Sequence, residues 1–380
     1  MRHLHFTQSL EPLFGGGLGI STVALHRHWL AMGVRSTVCS TYGDAPQKPA
    51  ERTLEFRRIK PDYLYYAPEL RTAAKELVGA ADVVHGHGFY VGTNFLLGRE
   101  ARRQGRPLVY HSHGFFEPWI LGRSRWKKQL VHWLFEDANF RHAKLWRALT
   151  SKEAGQIRAQ GIDAPIVIAP VGINLAEFDR IQPASGPLET PLVPKLAKSG
   201  PRAVFISRLH PKKGLDLLLP AWRALNDVRR EWELIIAGPD EGGHAATVDG
   251  EIRRLGLAET VRRVGKLSHE SKIQLLKSAD LFVLPSHSEG FPSAILEAMA
   301  ARVPVLATRA CNFPELFQAG GGWECDPEES SLRSALGAAL GTADLERLQR
   351  GAAGRRLLEA DYTWDSISRR LLDACAAHCS

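Results

Sequence analysis

The sequence predicts an α/β protein built from two doubly wound domains, each a parallel sheet covered by helices. Short apolar runs alternate with amphipathic stretches through most of the chain, which is typical of parallel sheets with helical crossovers. A chain of 380 residues is also too long for one ordinary core. A proline-rich stretch at 181–194 divides the alternating pattern in two. These observations predict an N-terminal domain at 1–180, a linker at 181–201 and a C-terminal domain at 202–362.

The order of elements is read from the same alternation. In the N-terminal domain, apolar runs predict strands at 4–6, 35–39, 54–59, 82–85, 107–111, 148–151 and 166–169. Amphipathic stretches between them predict helices at 21–32, 68–78, 91–104, 125–146 and 152–160. The C-terminal domain has predicted strands, each followed by a helix, at 203–207, 233–237, 261–264, 281–284 and 303–306. The final segment, 363–380, has one apolar face and is assigned as a helix that can pack back on the N-terminal domain.

Composition narrows the class of protein. A hydrophobic content of 44% and a charged content of 24% are those of a globular protein. No stretch approaches the about 18 uninterrupted apolar residues of a membrane span. The first residues begin as a strand without a signal-peptide pattern, which predicts a cytoplasmic protein. Five cysteines, none in a CxxC pair, suit free thiols in a reducing compartment, and neither a metal nor a cofactor is predicted.

Positive charge is concentrated between residues 101 and 150. Ten basic residues outnumber three acidic ones there and account for most of the net charge of +8. Such a segment predicts an anionic partner, which can be nucleic acid, a membrane surface or a phosphorylated substrate. Residues 123–147 carry a rough apolar stripe beside several lysines and arginines. That pattern fits either a helix packed on the core or a face that contacts anionic lipid headgroups.

Candidate binding residues follow predicted strands of the N-terminal domain. Gly16 and Gly17 belong to a glycine-rich run at 15–19 between the first strand and the first helix, where free backbone amides favour an anion. A structural tight turn is the alternative interpretation. Two histidine pairs follow adjacent strands, and we expect them either to contact a polar substrate or to serve as packing and capping residues. These residues are His85, His87, His111 and His113.

Charged residues mark two turns of the C-terminal domain. Arg208 closes a strand and Lys213 precedes a helix, so two cations meet near a helix N-terminus. A bound diphosphate would compensate charges that otherwise oppose the helix dipole, although two solvated surface cations would look the same. Glu289 and Glu297 lie on either side of a strand-to-helix turn. They would suit sugar and ribose hydroxyls, or they are ordinary surface acids.

The start of that helix strengthens the case for a ligand. With Pro292 as the first helical residue, the N-cap falls on Phe291, which has no side-chain acceptor. The first amides, beginning at Ser293, are then expected to lack a side-chain partner. An anion from a ligand could bind them.

These motifs, in this order, resemble those of the retaining glycosyltransferases of family 4. The resemblance covers almost the whole chain and is strongest at the E-x7-E pattern, which begins Glu289-Gly290-Phe291-Pro292 and ends at Glu297. The other runs that carry it are 15–19, 170–174, 207–214 and 235–239. The resemblance implies the GT-B fold, in which two Rossmann-like domains face a central cleft. The N-terminal domain would bind the acceptor and the C-terminal domain the donor.

The resemblance also implies the reaction. A sugar passes with retention from a nucleotide-diphosphate sugar, most often UDP- or GDP-linked, to a glycan or lipid-linked acceptor in bacterial exopolysaccharide, capsule or lipopolysaccharide synthesis. No metal is implied, and the sequence has no DxD motif. The implied catalytic residues are His113, Arg208, Lys213 and Glu289. The other implied donor contacts are Gly16, Gly17, Leu267 near the base, Gly290, Phe291, Pro292, Ser293 and, at the ribose, Glu297. His85, His87 and His111 are acceptor-side candidates.

One departure from the family pattern and two other functions complete the sequence interpretation. Residues 117–119 and 125–130 resemble a subgroup associated with bacterial surface polysaccharides, which commonly carries Pro-Arg-Gly where this chain has Ser112-His113-Gly114. A sugar-nucleotide epimerase or hydrolase on the same fold is the alternative function. A nucleic-acid-binding protein is more remote, because no aromatic platform or helix-turn-helix pattern accompanies the basic segment. We expect peripheral contact with the inner face of the membrane through 123–147, and no nucleic-acid partner.

Overall fold

A computed structural model describes residues 1–59, 65–89, 91–116, 136–182, 200–225 and 231–379. The chain divides into two compact units, Met1–Gly172 with Trp364–Ser380, and Ile173–Thr363. Each unit contains a parallel sheet covered by helices. The predicted doubly wound α/β class is therefore confirmed.

The first unit is built on a sheet of parallel strands. They are β1 (Arg2–Ser9), β2 (Arg35–Tyr42), β3 (Thr53–Arg57), β4 (Val83–His87), β5 (Leu108–His111), β6 (Leu145–Ala148) and β7 (Ile166–Ile168). Within the described residues the strand order is β3-β2-β1-β4-β5-β6-β7. The helices between them are α1 (Pro12–Ala31), α2 (Pro68–Gly79), α3 (Gly92–Arg103), α4 (Asp137–His142) and α5 (Ser151–Arg158). The chain order changes direction in the sheet between β3 and β4, on either side of β1.

The glycine-rich run at 15–19 is wrongly predicted as a loop. Helix α1 begins at Pro12 and includes the whole run, because a proline at the first helical position is already set for a helix start. A Cβ placed on Gly19 would lie 3.0 Å from the carbonyl oxygen of Ser9. The helix thus packs closely on the end of β1, and glycine permits that approach. Gly16 and Gly17 lie in the first turns of this helix.

The sixth strand also differs from its prediction. It spans Leu145–Ala148 rather than 148–151, so the first of its residues were wrongly placed in a helix at 125–146. Trp146 is fully buried and its ring lies 5.0 Å from that of Phe140, which is the packing of a central strand. The described part of the predicted helix is α4, and residues 125–135 lie outside the described residues.

The second unit has its own parallel sheet. Its strands are β8 (Arg202–Ile206), β9 (Glu233–Ala237), β10 (Val261–Gly265), β11 (Leu281–Leu284), β12 (Val305–Thr308) and β13 (Gly322–Cys325). In the part of the unit that the structure describes, the order is β10-β9-β8-β11-β12-β13. The helices are α6 (Leu175–Arg180), α7 (Leu215–Ala224), α8 (His244–Arg254), α9 (His269–Lys277), α10 (Ser293–Ala300), α11 (Pro314–Gln318), α12 (Glu329–Gly341) and α13 (Asp344–Asp361). Strand β13 was not predicted, because its four residues contain no apolar run.

The boundary between the units falls after Gly172, earlier than the predicted end at 180. Helix α6 belongs to the second unit, since Phe178 is buried in that unit's core and Asp179 forms a 3.0 Å ion pair with Arg355 of α13. The last helix, α14 (Trp364–His378), packs in the first unit. Its buried apolar residues join the cluster of Trp29, and Asp365 lies 2.8 Å from His28.

Candidate active site

The E-x7-E turn of the second unit contains a buried ion pair. Lys213 Nζ lies 2.7 Å from Glu289 Oε1, and the two side chains expose only 12% and 9% of their surface. The Ser286 hydroxyl donates to the same carboxylate oxygen at 2.6 Å. The Glu289 backbone is also fixed, because its amide donates to the Ala310 carbonyl and its carbonyl accepts from the Asn312 side chain. The carboxylate is therefore held in one orientation before any ligand binds.

A tight turn brings Lys213 to this carboxylate. His210 caps a single 3₁₀ turn, Pro211–Lys213, by accepting the Lys212 amide at 3.0 Å. Gly214 follows with φ +76°, and a Cβ there would lie 1.9 Å from the Pro285 carbonyl oxygen. Only glycine tolerates both the left-handed backbone and this contact. The loop after β8 is thus packed directly on the end of β11, its neighbour in the sheet.

The second glutamate of the motif has a lysine partner that the sequence interpretation missed. Lys272 Nζ of α9 lies 2.5 Å from Glu297 Oε1 of α10, and both side chains are about three-quarters buried. Helical periodicity places Lys272 on α9 but does not say which neighbouring helix it contacts, so sequence offered no signal for the pair. Both glutamates of the E-x7-E motif are therefore paired with lysines in this structure.

Arg208 forms its ion pair with a residue outside the Lys213–Glu289 pair. Its guanidinium forms a 2.8 Å ion pair with Glu241, and the Arg208 side chain is 62% exposed. Glu241 borders a cavity of about 370 Å³ that His210, Gly243 and Thr247 also line. The structure thus joins the loops after β8 and β9 through Arg208, whereas the loops after β8 and β11 are joined through Lys213.

The helix after the motif begins one residue later than predicted. Pro292 is the N-cap of α10, not its first residue, and no side-chain hydrogen bond caps the helix. Two of the first amides nevertheless have backbone partners, since Ser293 donates to the Phe291 carbonyl and Ile295 to the Pro292 carbonyl. The first amides thus lack a side-chain acceptor, as predicted, although these two bond to backbone carbonyls. Gly290 precedes this start, and Phe291 packs edge-on against Phe313.

Leu267 lies in the loop that leads from β10 to α9. Its side chain is half-buried against the core of the second unit. The next residue, Ser268, caps α9 by accepting the Ser271 amide at 3.1 Å. The cap at Ser268 therefore fixes the end of this loop, and Leu267 lies directly before the cap.

In the first unit, histidines form two hydrogen-bonded rows across the sheet. The rows lie on one face because the residues alternate along β1, β4 and the end of β5. In one row, His3 Nδ1 lies 2.9 Å from His85 Nε2, and His85 Nδ1 lies 3.1 Å from His111 Nε2. In the other, the matching distances from His5 to His87 and from His87 to His113 are 2.9 Å and 3.1 Å. We call these six residues the histidine ladder.

Of the two interpretations of the histidine pairs, the structure favours packing for three of the four residues. His85, His87 and His111 are fully buried, and only His113 is half-buried. The reason is the covering layer, since Trp29 of α1 packs edge-on against His3, His5 and His85. Burial lowers the pKa of His5, His85, His87 and His111 well below the usual value. It lowers the pKa of His3 to about 4 and that of His113 to about 3, so the whole ladder is uncharged near pH 7.

A buried carboxylate that was not predicted holds the turn around His113. His113 has φ +46°, a left-handed conformation that is uncommon outside glycine. On either side of it, the Ser112 hydroxyl donates to Glu153 Oε1 at 2.6 Å and the Gly114 amide donates to the same oxygen. The Leu149 amide donates to the other oxygen of Glu153 at 2.5 Å. The strained position of His113 is thus fixed by its neighbours.

Gly17 lies in α1, and no atom of the described residues comes within 4 Å of a Cβ built there. The first turns of α1, which contain Gly16 and Gly17, follow the end of β1.

None of the described helices is long and apolar enough to cross a membrane.

Comparison with known proteins identifies both units. Residues 15–177 match the model of Glycosyltransferase Family 4, and residues 192–340 match that of Glycosyl transferases group 1. The chain is 28% identical to the D-inositol 3-phosphate glycosyltransferase of Nocardia farcinica, over 82% of this chain and 70% of the relative. It is 31% identical to the lipopolysaccharide core biosynthesis mannosyltransferase LpsB of Rhizobium meliloti, over 58% and 64% of the two chains.

A solved structure shows the same fold. The Anabaena protein Alr3699/HepE, crystallised with UDP and glucose, superposes with a TM-score of 0.77 at 19% identity and covers 99% of this chain and 100% of its own. The predicted GT-B fold is thereby confirmed. With both halves of that fold matched by glycosyltransferase models, the chain belongs to the family 4 and group 1 glycosyltransferases and is a glycosyltransferase.

Proposed function

We propose that this chain transfers a sugar with retention from a UDP- or GDP-linked donor to a glycan or lipid-linked acceptor, without a metal ion at the diphosphate. The observation that carries the proposal is the Lys213–Glu289 pair, which lies just past the ends of the neighbouring strands β8 and β11. Ligands of open parallel sheets bind at this edge. A buried lysine held by a carboxylate presents positive charge where a departing diphosphate would need it.

The charge that develops on the diphosphate determines the role of each cation. Breaking the bond between the anomeric carbon and the phosphate oxygen leaves negative charge on the phosphate. Lys213 supplies compensating charge from a fixed position. Arg208 is exposed in its pair with Glu241, so it can exchange that partner for a bound phosphate at little cost. Two cations at the diphosphate would take the place that a divalent metal has in other transferases.

The two glutamates bind donor hydroxyls in this proposal. Oε1 of Glu289 accepts hydrogen bonds from Lys213 and Ser286. Among the described residues Oε2 has no hydrogen-bond donor, so it can accept a sugar hydroxyl. Glu297, held by Lys272, is suited to the ribose hydroxyls. Leu267 would contact the base.

Retention follows if the acceptor attacks from the side on which the phosphate leaves. The acceptor oxygen forms its bond to the anomeric carbon while the bond to the phosphate oxygen breaks, and the acceptor's proton passes to that leaving oxygen. Glu289 is committed to Lys213 and Ser286, which argues against its use as a nucleophile. His113 would contact the donor sugar, and Gly16 and Gly17 would approach its phosphate.

The acceptor is proposed from the relatives. A relative that acts in lipopolysaccharide core biosynthesis supports an acceptor of the cell envelope, either a glycan or a lipid-linked sugar. Such an acceptor would be reached from the inner face of the cytoplasmic membrane, with the basic segment 123–147 in contact with anionic lipid. Flotation with vesicles checks this part: binding that is equal with and without anionic lipid, or absent from both, contradicts it.

Nucleotide binding tests the core of the proposal. A thermal-shift panel of UDP, GDP and ADP, each alone and as a sugar conjugate, should show stabilisation by at least one nucleotide. Lys213→Ala and Glu297→Ala should weaken that shift. Lys75→Ala, at an exposed lysine of α2, is the matched control and should leave it unchanged. If none of the nucleotides stabilises the wild-type protein, the donor site is assigned wrongly.

A further inference from the structure

Arg147 fixes the position of the protons in one row of the histidine ladder. Its Nη1 donates to His111 Nδ1 at 3.3 Å, because a guanidinium cannot accept a hydrogen bond. Burial keeps the pKa of His111 well below its usual value, so this neutral ring has its single proton on Nε2. His111 Nε2 therefore donates to His85 Nδ1, and His85 Nε2 donates in turn to His3 Nδ1. We call these three histidines the arginine row.

Thr22 sets the direction of the other row, which contains His5, His87 and His113 and which we call the threonine row. The Thr22 hydroxyl has one proton and donates it to the Leu18 carbonyl at 2.8 Å. Thr22 Oγ1 then accepts from His87 Nδ1, which lies 3.1 Å away. The proton of neutral His87 is therefore on Nδ1, and His87 Nε2 accepts from His5 Nδ1 at 2.9 Å.

The same proton of His87 determines the tautomer of His113. His113 Nε2 lies 3.1 Å from His87 Nδ1, so the N–H of His87 is shared between His113 and Thr22. A proton on His113 Nε2 would face the proton of His87. Burial also lowers the pKa of His113 to about 3, so its ring has one proton near pH 7. That proton is therefore on Nδ1, a nitrogen that has no hydrogen-bond partner among the described residues.

Stacking between the two rows supports these opposite directions. His5 stacks on His85 with ring centroids 4.3 Å apart, and His87 stacks on His111 at 4.0 Å. Donation runs from β5 towards β1 in the arginine row and from β1 towards β5 in the threonine row. The dipoles of the stacked rings are then opposed, which is the attractive arrangement. Each row thus stabilises the direction of the other.

One buried nitrogen of the threonine row stays unpaired, and in this arrangement it is a lone pair. His5 Nε2 has no hydrogen-bond partner among the described residues. With the row reversed, this nitrogen would carry a proton. Among backbone groups, a buried N–H without an acceptor is rarer than a carbonyl that lacks a donor, and the same preference favours the direction set by Thr22.

We infer that Thr22 is a positioning residue that fixes His113 as an N–H donor at Nδ1, and that this N–H binds an acceptor oxygen of the donor sugar. The second part rests on the proposed function, in which His113 contacts that sugar. A hydroxyl or carboxylate oxygen of the sugar meets the requirement, whereas a protonated Nδ1 cannot withdraw a proton from a hydroxyl. His113 is thus a binding group and not the base of the transfer. The acceptor's proton is left to the leaving phosphate oxygen.

NMR of the full-length protein, ¹⁵N-labelled at histidine, tests the tautomer without any nucleotide. Long-range ¹H–¹⁵N correlation spectra distinguish rings protonated at Nδ1 from rings protonated at Nε2, and His113→Gln identifies the signal of His113. We expect His113 to have its proton on Nδ1 at pH 7. Neutron diffraction from crystals exchanged into D₂O locates the same deuteron directly if that variant does not fold. A proton on Nε2, or on both nitrogens, overturns the inference.

Matched variants test the role of Thr22. Thr22→Val removes the hydroxyl at similar volume and should give His113 a second tautomer, protonated at Nε2, with a population of at least about one tenth. Thr22→Ser keeps the hydroxyl and should retain the single tautomer. Thr7→Val is the control, since the Thr7 hydroxyl is buried on β1 and has no partner among the described residues. An unchanged His113 signal in Thr22→Val, or the same change in Thr7→Val, overturns the role of Thr22.

UDP-glucose and GDP-mannose separate the tautomer from the sugar contact. Whichever of them raises the melting temperature should also shift the His113 Nδ1 signal, whereas UDP or GDP alone should not, because neither carries a sugar. Stabilisation by a nucleotide sugar without a shift at His113 overturns the sugar contact. Stabilisation by neither contradicts the proposed donor site, and with it the sugar contact, while the spectrum of the free protein still decides the tautomer.

Discussion

Lys213 Nζ and Glu289 Oε1 are 2.7 Å apart at the edge of the second sheet, and hardly any of either side chain is exposed. Burying this pair removes both charges from water, which costs free energy. Their mutual attraction offsets that cost only while both partners are present. The pair therefore links stability to ligand binding, because the lysine that a diphosphate would attract also compensates the carboxylate.

Single and double substitutions of this pair should separate stability from binding. Lys213→Ala leaves a buried carboxylate without its cation and should lower the free energy of unfolding by about 3 kcal/mol. The double variant Lys213→Met with Glu289→Gln removes both charges at similar volume and should recover most of that loss. Denaturant titration measures the stability, and nucleotide shift assays should show that neither variant regains binding. A double variant that responds to nucleotide like the wild type would contradict the proposed role of Lys213.

Gly214 and Gly17 should respond in opposite ways to alanine. Gly214→Ala combines a left-handed backbone with a contact at 1.9 Å and should destabilise the protein by about 3 kcal/mol or more. Gly17→Ala adds its Cβ to a helix at a point that no described atom approaches within 4 Å, and it should stabilise the protein by about 0.5–1 kcal/mol. Thermal unfolding of both variants checks the pair. A loss of nucleotide response in Gly17→Ala, with stability raised, would support a close approach of the phosphate to this backbone.

Glu153→Gln should loosen the turn that holds His113. The carboxylate accepts hydrogen bonds from Ser112, Gly114 and Leu149. The side-chain nitrogen of glutamine is itself a donor, so in the variant it would face one of these three donors and leave it without an acceptor. We expect a loss of about 1–3 kcal/mol in unfolding free energy. Glu76→Gln, at an exposed glutamate of α2, serves as the comparison and should change little. Unchanged stability of Glu153→Gln would show that the turn does not depend on this carboxylate.

His26 should make the protein less stable as the pH falls below about 6.5. Burial lowers its pKa, with Arg27 and Arg52 contributing, while its bond to the Glu51 carbonyl opposes the shift. As the pH falls, His26 of the unfolded chain takes up its proton at a higher pH than His26 of the folded chain does. The stability that is present above the unfolded pKa is therefore lost as the pH decreases. His26→Gln should reduce the slope of unfolding free energy against pH by up to about 1.4 kcal/mol per unit. Denaturant titrations between pH 5 and 8 measure this, with the exposed His378→Gln as control.

The buried cysteines should be protected from thiol reagents until the protein unfolds. Burial raises the pKa of Cys39 well above its usual value, and it raises those of Cys311 and Cys325 to about 12. The thiolate is the reactive form, so these residues should label only in denaturant. Maleimide labelling followed by peptide mass analysis distinguishes them. Labelling of Cys311 in the folded protein would contradict the burial described for the loop beside Glu289.

The sequence predicted the architecture well because alternation of apolar and amphipathic segments is a local signal. Strands β9 and β11 have the predicted bounds, since each is a run of buried residues that is apolar except for Glu233 at the start of β9. Strand β13 lacks such a run, and β12 begins later than predicted, because its pairing with β13 starts at Val305. The glycine-rich run could not be recognised as helical, because its fit depends on the distance between Gly19 and Ser9 in the folded chain.

Contacts between distant elements were the part that sequence could not supply. The motif indicated Lys213 and Glu289, but the partners Lys272, Glu241 and Glu153 depend on which helices and loops are neighbours. The histidine pairs were noticed at strand ends, yet their burial follows from the position of Trp29 over the sheet. Periodicity gives the face of a residue and says nothing about the layer that covers it.

The chain enters and leaves the second unit at adjacent positions. Ile173 donates to the Tyr362 carbonyl at 3.0 Å and bridges to Thr363, while Gly172 lies against Trp364. In terms of chain topology the second unit is an insertion whose two ends meet. The first unit is therefore a discontinuous domain that is complete only after α14 has been synthesised. Joining residue 172 to residue 364 by a short linker should yield this unit as an independent protein. Residues 173–363 should likewise fold when they are expressed alone.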